Sequence, residues 1–326
     1  MVMVLGLASL QAQTRQRLKL YVTNSEGDSI TVIDLASAKV IGEIKVGERP
    51  HCAAAQPDGR RVFTTVESER ALKVIDTATD QVVETIPVSG TPNQCAVTPN
   101  GRFVGVPIHD GDRVDIVDLE QKKVVKSLPV YKPHNCYNAH SDAHMFVTSI
   151  RENQVKMIDL ATMSYMAEIS VGGVPRPISV AHDEKTMYVA LSDLHGFVIV
   201  DIAKRKVIDK VELPAPPPGA KPLVEHTPTH GLEISPDGKE LWVTSVVGNG
   251  VYVYDIASQK LSNKIVTGLA PNWLAFSPDG KYCAVSNSGS DDVSIIETAT
   301  RKEVARVKVG KMPKRLVAAA VPASAM

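Results

Sequence analysis

Short stretches in which apolar and polar residues alternate recur along almost the whole chain. Leu18-Lys19-Leu20-Tyr21-Val22-Thr23-Asn24 has the period of a half-buried strand, Ser29-Ile30-Thr31-Val32-Ile33-Asp34 predicts the next, and Ala38 through Val46 a third. Turn signals punctuate the later stretches: Pro57-Asp58-Gly59, Pro99-Asn100-Gly101, Pro236-Asp237-Gly238 and Pro278-Asp279-Gly280. In each, proline presets φ and glycine takes the positive-φ place, and the middle side chain is expected to bond to nearby backbone rather than to hold calcium.

The pattern is periodic. A short motif ending in a polar residue returns as Arg49-Pro50-His51, Thr91-Pro92-Asn93, Lys132-Pro133-His134, Val174-Pro175-Arg176, Pro228-Thr229-His230, Ala270-Pro271-Asn272 and Met312-Pro313-Lys314. The final residues stand 42, 41, 42, 54, 42 and 42 positions apart. Strand-like sequence repeating at this length is the mark of a propeller blade. The predicted fold is therefore all-β, a seven-bladed β-propeller of four-stranded blades over residues 18–321. The first blade holds only three strands near the N-terminus, so its innermost strand is expected from Lys314 to Ala320, and pairing of the terminal strands closes the ring.

The tetrapeptide Tyr21-Val22-Thr23-Asn24, with Ile33-Asp34 after it and Ser277-Pro278-Asp279-Gly280 later, resembles the YVTN-type β-propeller repeat family over nearly the whole chain. That resemblance implies the fold. It does not select a function, because similar propellers include surface-layer proteins, cofactor-associated periplasmic proteins, lyases, lactone hydrolases and the eight-bladed haem d1-binding domain. No CxxCH haem-attachment sequence is present.

Composition narrows the choice. Lys plus Arg and Asp plus Glu are 36 each, so no global field attracts nucleic acid, and aromatic residues are too few for a single-strand stacking platform. Residues 1–13 join a short apolar run to small and polar residues without a basic start, which predicts a signal-peptide remnant and a periplasmic or secreted protein. No run approaches the length of a membrane-spanning helix, so no membrane insertion is expected, and the chain is read as a monomer. Cys52, Cys95, Cys136 and Cys283 show no CxxC spacing. They are read as buried free thiols, with a metal-thiolate role for Cys52 beside His51 as the alternative.

If seven blades surround one axis, His51, Asn93, His134, Arg176, His230, Asn272 and Lys314 meet around it, on the face that also carries the loop at Glu67-Ser68-Glu69. His51, His134 and His230 fall on blades two, four and six, and three imidazoles from separate directions suit a metal with an open coordination position. Zn, Cu or Fe is the expected cofactor. Arg176 and Lys314 would then orient an anionic substrate, with Asn93, Asn272 and Trp273 lining the site. The 54-residue interval carries a proline-rich insertion at 214–229, expected to cross the channel mouth as a lid and bring Glu225 or His226 as the acid/base group, or else to stand off as an interaction loop. The favoured reading is a metal-dependent enzyme acting on a small anionic or oxygenated molecule. Its alternative is a non-catalytic propeller that binds a small ligand, or a protein partner through rim loops.

Overall fold

The computed structural model of the protein describes residues 16–223 and 226–322. The expected signal remnant at 1–13 and the acid/base candidate Glu225 lie outside the described residues. Seven antiparallel sheets are present among the described residues, each with its strands in chain order apart from the first. In blade one the C-terminal strand Pro313–Val321 pairs with Arg17–Asn24, followed by Ser29–Asp34 and Lys39–Lys45. The terminal strands therefore meet in one sheet, as the three-strand count at the N-terminus predicts. Blade six deviates at its outer edge, where Lys260–Leu261 and Ile265–Val266 replace one continuous strand. Among the described residues no helix is long and apolar enough to cross a membrane.

Alternation along the strands explains where the core lies. The inner and middle strands of each blade are apolar on both faces because both faces meet a neighbouring blade, whereas outer strands alternate exposed and buried residues. The apolar side chains sort into seven clusters, one at each blade–blade interface. Turn chemistry follows the sequence: Gly59, Gly101, Gly238 and Gly280 all take φ near +72°. Asp58, Asn100, Asp237 and Asp279 each accept a backbone N–H two residues on, at 2.9, 2.9, 3.1 and 3.2 Å.

The cysteines require a correction. Cys136 and Cys283 are buried free thiols, but Cys52 and Cys95 form a disulfide between the inner segments of blades two and three, with Cα atoms 5.6 Å apart. A search for local CxxC spacing misses this pair because their separation of 43 residues is one blade period plus one. The repeat itself brings them side by side. Closing a loop of this length restricts the unfolded chain by about 4 kcal/mol in the chain-entropy account. Substituting both residues with Ser is expected to lower the unfolding free energy by roughly that amount, read as a lower urea midpoint together with a steeper slope, because the unfolded chain without the cross-link exposes more surface.

Candidate functional site

Each ring residue sits where an inner strand begins, and the backbone there is irregular. Pairing with the second strand shifts register between Pro133 and Cys136, Pro175 and Ile178, Thr229 and Leu232, and Pro271 and Trp273. Such bulges re-aim side chains, and here they occur at the positions facing the axis. His230 and Asn272 are completely buried, and Asn93, His134 and Trp273 nearly so.

The ring does not converge on one point. His134 and His230 approach each other edge to face with ring centroids 6.4 Å apart. His134 Nε2 accepts from Arg176 Nη1 at 2.7 Å and its Nδ1 meets Asn135 Oδ1, so both ring nitrogens are engaged. Burial first, and then the charges of Arg176 and Arg315, hold His134 well below the usual histidine range. His230 Nδ1 donates to the Asn272 carbonyl at 3.0 Å, and its ring leans on Trp273. His51 turns to its own blade, where its Nδ1 meets Glu67 Oε1 at 2.9 Å. Among the described residues no group of three or more His, Cys, Asp or Glu side chains is arranged to hold a metal ion. A three-histidine centre does not fit these donors, because both ring nitrogens of His134 are engaged and His51 lines a cleft that neither His134 nor His230 lines.

At the centre lies Arg315, the residue after the ring position Lys314 and one that the sequence reading did not single out. It is 2% exposed, packs its guanidinium 4.0 Å from the Trp273 ring centre, and donates from Nη1 to Asn272 Oδ1 at 3.1 Å. The signal was available: the residue after each ring position is Cys52, Gln94, Asn135, Pro177, Gly231 and Trp273 elsewhere, and an arginine breaks that series. Asn93 is used locally, its Oδ1 accepting the N–H of Gln94. His226 is exposed in the insertion, with φ of 50°. No described residue of 214–229 lines the cleft at His51.

That cleft is a cavity on the ring face. It encloses about 600 Å³ between blades one and two and is lined by His51, Glu67, Arg49, Lys314, Ser25 and Asp28 among others. Three of its carboxylates have cationic partners: Glu67 with Arg49 at 2.9 Å, Asp28 with Lys45 at 2.8 Å and Glu26 with Lys311 at 3.7 Å. Burial is the largest influence on His51 and lowers its basicity. The hydrogen bond to Glu67 works against that, while Arg315 and Lys314 reinforce it, and the net shift is downward. Burial alone would raise Glu67, but the His51 hydrogen bond and the charges of His51, Arg49 and His109 outweigh it and keep the carboxylate ionised. An ionised Glu67 fixes the tautomer: Nδ1–H donates to it, and Nε2 is left as the acceptor.

Residues 164–310 match the model of the family described as Lactonase, 7-bladed beta-propeller. That span covers the fourth strand of blade four and blades five to seven. No curated protein matches the sequence. Solved structures with the same fold include a putative 6-phosphogluconolactonase from Bacteroides fragilis, with TM-score 0.75, 16% identity, and 94% of this chain and 98% of that one covered. Hydrazine synthase of Kuenenia stuttgartiensis is similar at TM-score 0.72 and 21% identity, covering 82% and 89% of the two chains. The dihydro-heme d1 dehydrogenase NirN, in complex with DHE, is similar at TM-score 0.66 and 13% identity, covering 94% and 76%. The fold is a seven-bladed propeller, and these structural neighbours are enzymes.

Proposed function

We propose that the protein is a hydrolase that opens a lactone, or a related small cyclic ester, carrying an anionic group. The observation that carries this reading is the His51–Glu67 pair at 2.9 Å in the cleft between blades one and two. The match to a lactonase family over 164–310 agrees with it, and so does the fold shared with a putative 6-phosphogluconolactonase. The YVTN-type repeat reading is compatible with it and belongs to the same proposal.

The chemistry follows from the tautomer. His51 Nε2 accepts a proton from water as the oxygen attacks the lactone carbonyl, and Glu67 stabilises the imidazolium that forms. Collapse of the tetrahedral intermediate breaks the ring C–O bond. The departing alkoxide takes the proton back from His51, and the product is the open hydroxy acid. Lys314 lines the cleft beside His51 and supplies positive charge for the anionic group of the substrate. Glu67 is a positioning residue, since it acts through His51.

The Cys52–Cys95 bridge supports an oxidising compartment, periplasmic or extracellular, for the mature protein. Turnover of a lactone panel, with and without a phosphate or carboxylate substituent, tests the function by proton release at fixed pH. The expected result is hydrolysis that prefers anionic lactones by roughly tenfold, as one charge-assisted contact supplies, and that survives exhaustive chelation. Activity lost on chelation and restored by Zn, Cu or Fe would return the expected metal to the mechanism. Binding without turnover across the panel would support the non-catalytic alternative.

A further inference from the structure

The repeat register defines a second ring three residues beyond the first. Its members are Tyr137 on blade four, Glu233 on blade six, and Ala54, Ala96, Ser179, Ala275 and Val317 on the others, and every one of them lines a second cavity of about 460 Å³. Lys314 lines the cleft on the ring face, while Leu316 and Val317, just after Arg315 on the same strand, line this second cavity. Arg315 lines neither, so the buried guanidinium and the Trp273 ring beneath it separate two independent spaces along the axis.

The chemistry of the second space is unlike that of the first. Five of its seven ring positions are alanine, serine or valine, which leaves a passage with small, largely apolar walls. Glu233 is the single carboxyl among its described lining residues, and none of those residues is a lysine or an arginine. The aromatic rings of Tyr137, Trp273 and Phe276 also line it. The titratable groups that face Glu233 from packed elements are the Tyr137 phenol and the Cys283 thiol, both of which register its charge, and the Arg315 guanidinium behind Trp273 is the charged group that acts on the same phenol. The rest of the wall adds Cys136, His140 and His182, the two histidine rings meeting edge to face with centroids 4.7 Å apart.

A lone carboxyl in an apolar, aromatic-walled pocket is a receptor for an organic cation, because the ligand supplies the counter-charge the protein omits and the ring faces attract it further. We propose that this cavity is a second binding site, specific for a small primary alkylammonium whose nitrogen pairs with Glu233 and whose alkyl stem lies against Ala54, Ala96 and Ala275. The site is independent of the hydrolytic cleft.

Burial pushes the Glu233 carboxyl up to about 8, so in the empty protein at neutral pH it is mostly protonated. Binding a cation therefore expels a proton, and affinity must rise with pH until the carboxyl is ionised without help. Calorimetric titration of the full chain with n-pentylammonium chloride, beside the isosteric probe 1-pentanol, reads this directly. Between about pH 6 and about pH 9 the ammonium affinity is expected to rise roughly 90-fold, the ratio of ionised fractions for a group at about 8. The alcohol affinity should stay flat. Glu233→Gln is expected to remove the pH dependence and to weaken ammonium binding at least tenfold at the higher pH, and His51→Ala is expected to leave it unchanged. No ammonium binding, a pH-independent affinity, equal affinity for the alcohol, or unchanged binding in Glu233→Gln would each overturn the proposal. If Glu233→Gln does not fold, the wild-type pH profile and the alcohol comparison still decide.

Discussion

Deleting residues 313–326 is expected to abolish the cooperative fold rather than weaken it. The strand Pro313–Val321 pairs with Arg17–Asn24 over seven registered positions, and Thr23 Oγ1 donates to the Arg315 carbonyl at 3.0 Å. Its side chains belong to two interfaces at once: Leu316 and Ala318 join the cluster between blades seven and one, Ala319 and Val321 the one between blades one and two. Loss of the strand exposes the inner edge of blade one and two apolar faces, and it removes Lys314 and Arg315 from the axis. Four buried apolar side chains and a ladder of hydrogen bonds amount to more than about 5 kcal/mol, comparable to the whole stability of an ordinary domain. Urea unfolding should change from one sharp transition to a broad or absent one, with aggregation through the open edge. A peptide spanning the deleted residues, added in trans, should restore the sharp transition. A truncated chain that unfolds at the wild-type midpoint would show that ring closure contributes little. Leu316→Ala gives the graded version, with an expected loss of about 3 kcal/mol.

Ring closure was legible because a period near 42 residues needs no knowledge of contacts. Each blade is one copy of a unit that cannot bury its faces alone, so counting copies fixes the architecture. Contacts across blades are a different kind of information. The register places His51, His134 and His230 on one circle, but a circle of seven strands is wide, and what each side chain touches depends on its immediate neighbours. His134 and His230, flanking Arg176, come within 6.4 Å, while His51 is taken by Glu67 of its own blade. Pairing histidines by alternation along the repeat could not show this, because bulges at the strand starts decide where each ring points. The same limit applies to Cys52 and Cys95. Their partnership is written in the period, yet only a reading that compares neighbouring blades position by position finds it. That comparison also exposes Arg315 and Glu233, each the odd residue in its own column of the repeat.

His51→Ala is expected to lower kcat/KM for an anionic lactone by about 10³-fold, within the range that loss of a general base produces. Added imidazole should restore part of the rate, a readout that a purely structural histidine would not show. Glu67→Gln should cost roughly 10²-fold in kcat, since the amide neither stabilises the imidazolium nor enforces the Nδ1–H tautomer. The pH profiles distinguish the two roles. The base is active when neutral, and its basicity is already held below the ordinary value of 6.5, so the wild-type rate is flat through neutrality and falls only at more acidic pH. Glu67 is the influence that raises His51, so its removal moves the acid limb to still lower pH even as the plateau drops. A plateau that falls while its limb shifts toward acid is not what simple destabilisation produces. Lys314→Ala should raise KM about tenfold with little change in kcat, as expected for a charge that holds substrate and transition state alike. If His51→Ala retains activity within tenfold of wild type, the proton transfer belongs to another group, and the cleft between blades one and two is a binding site without a base.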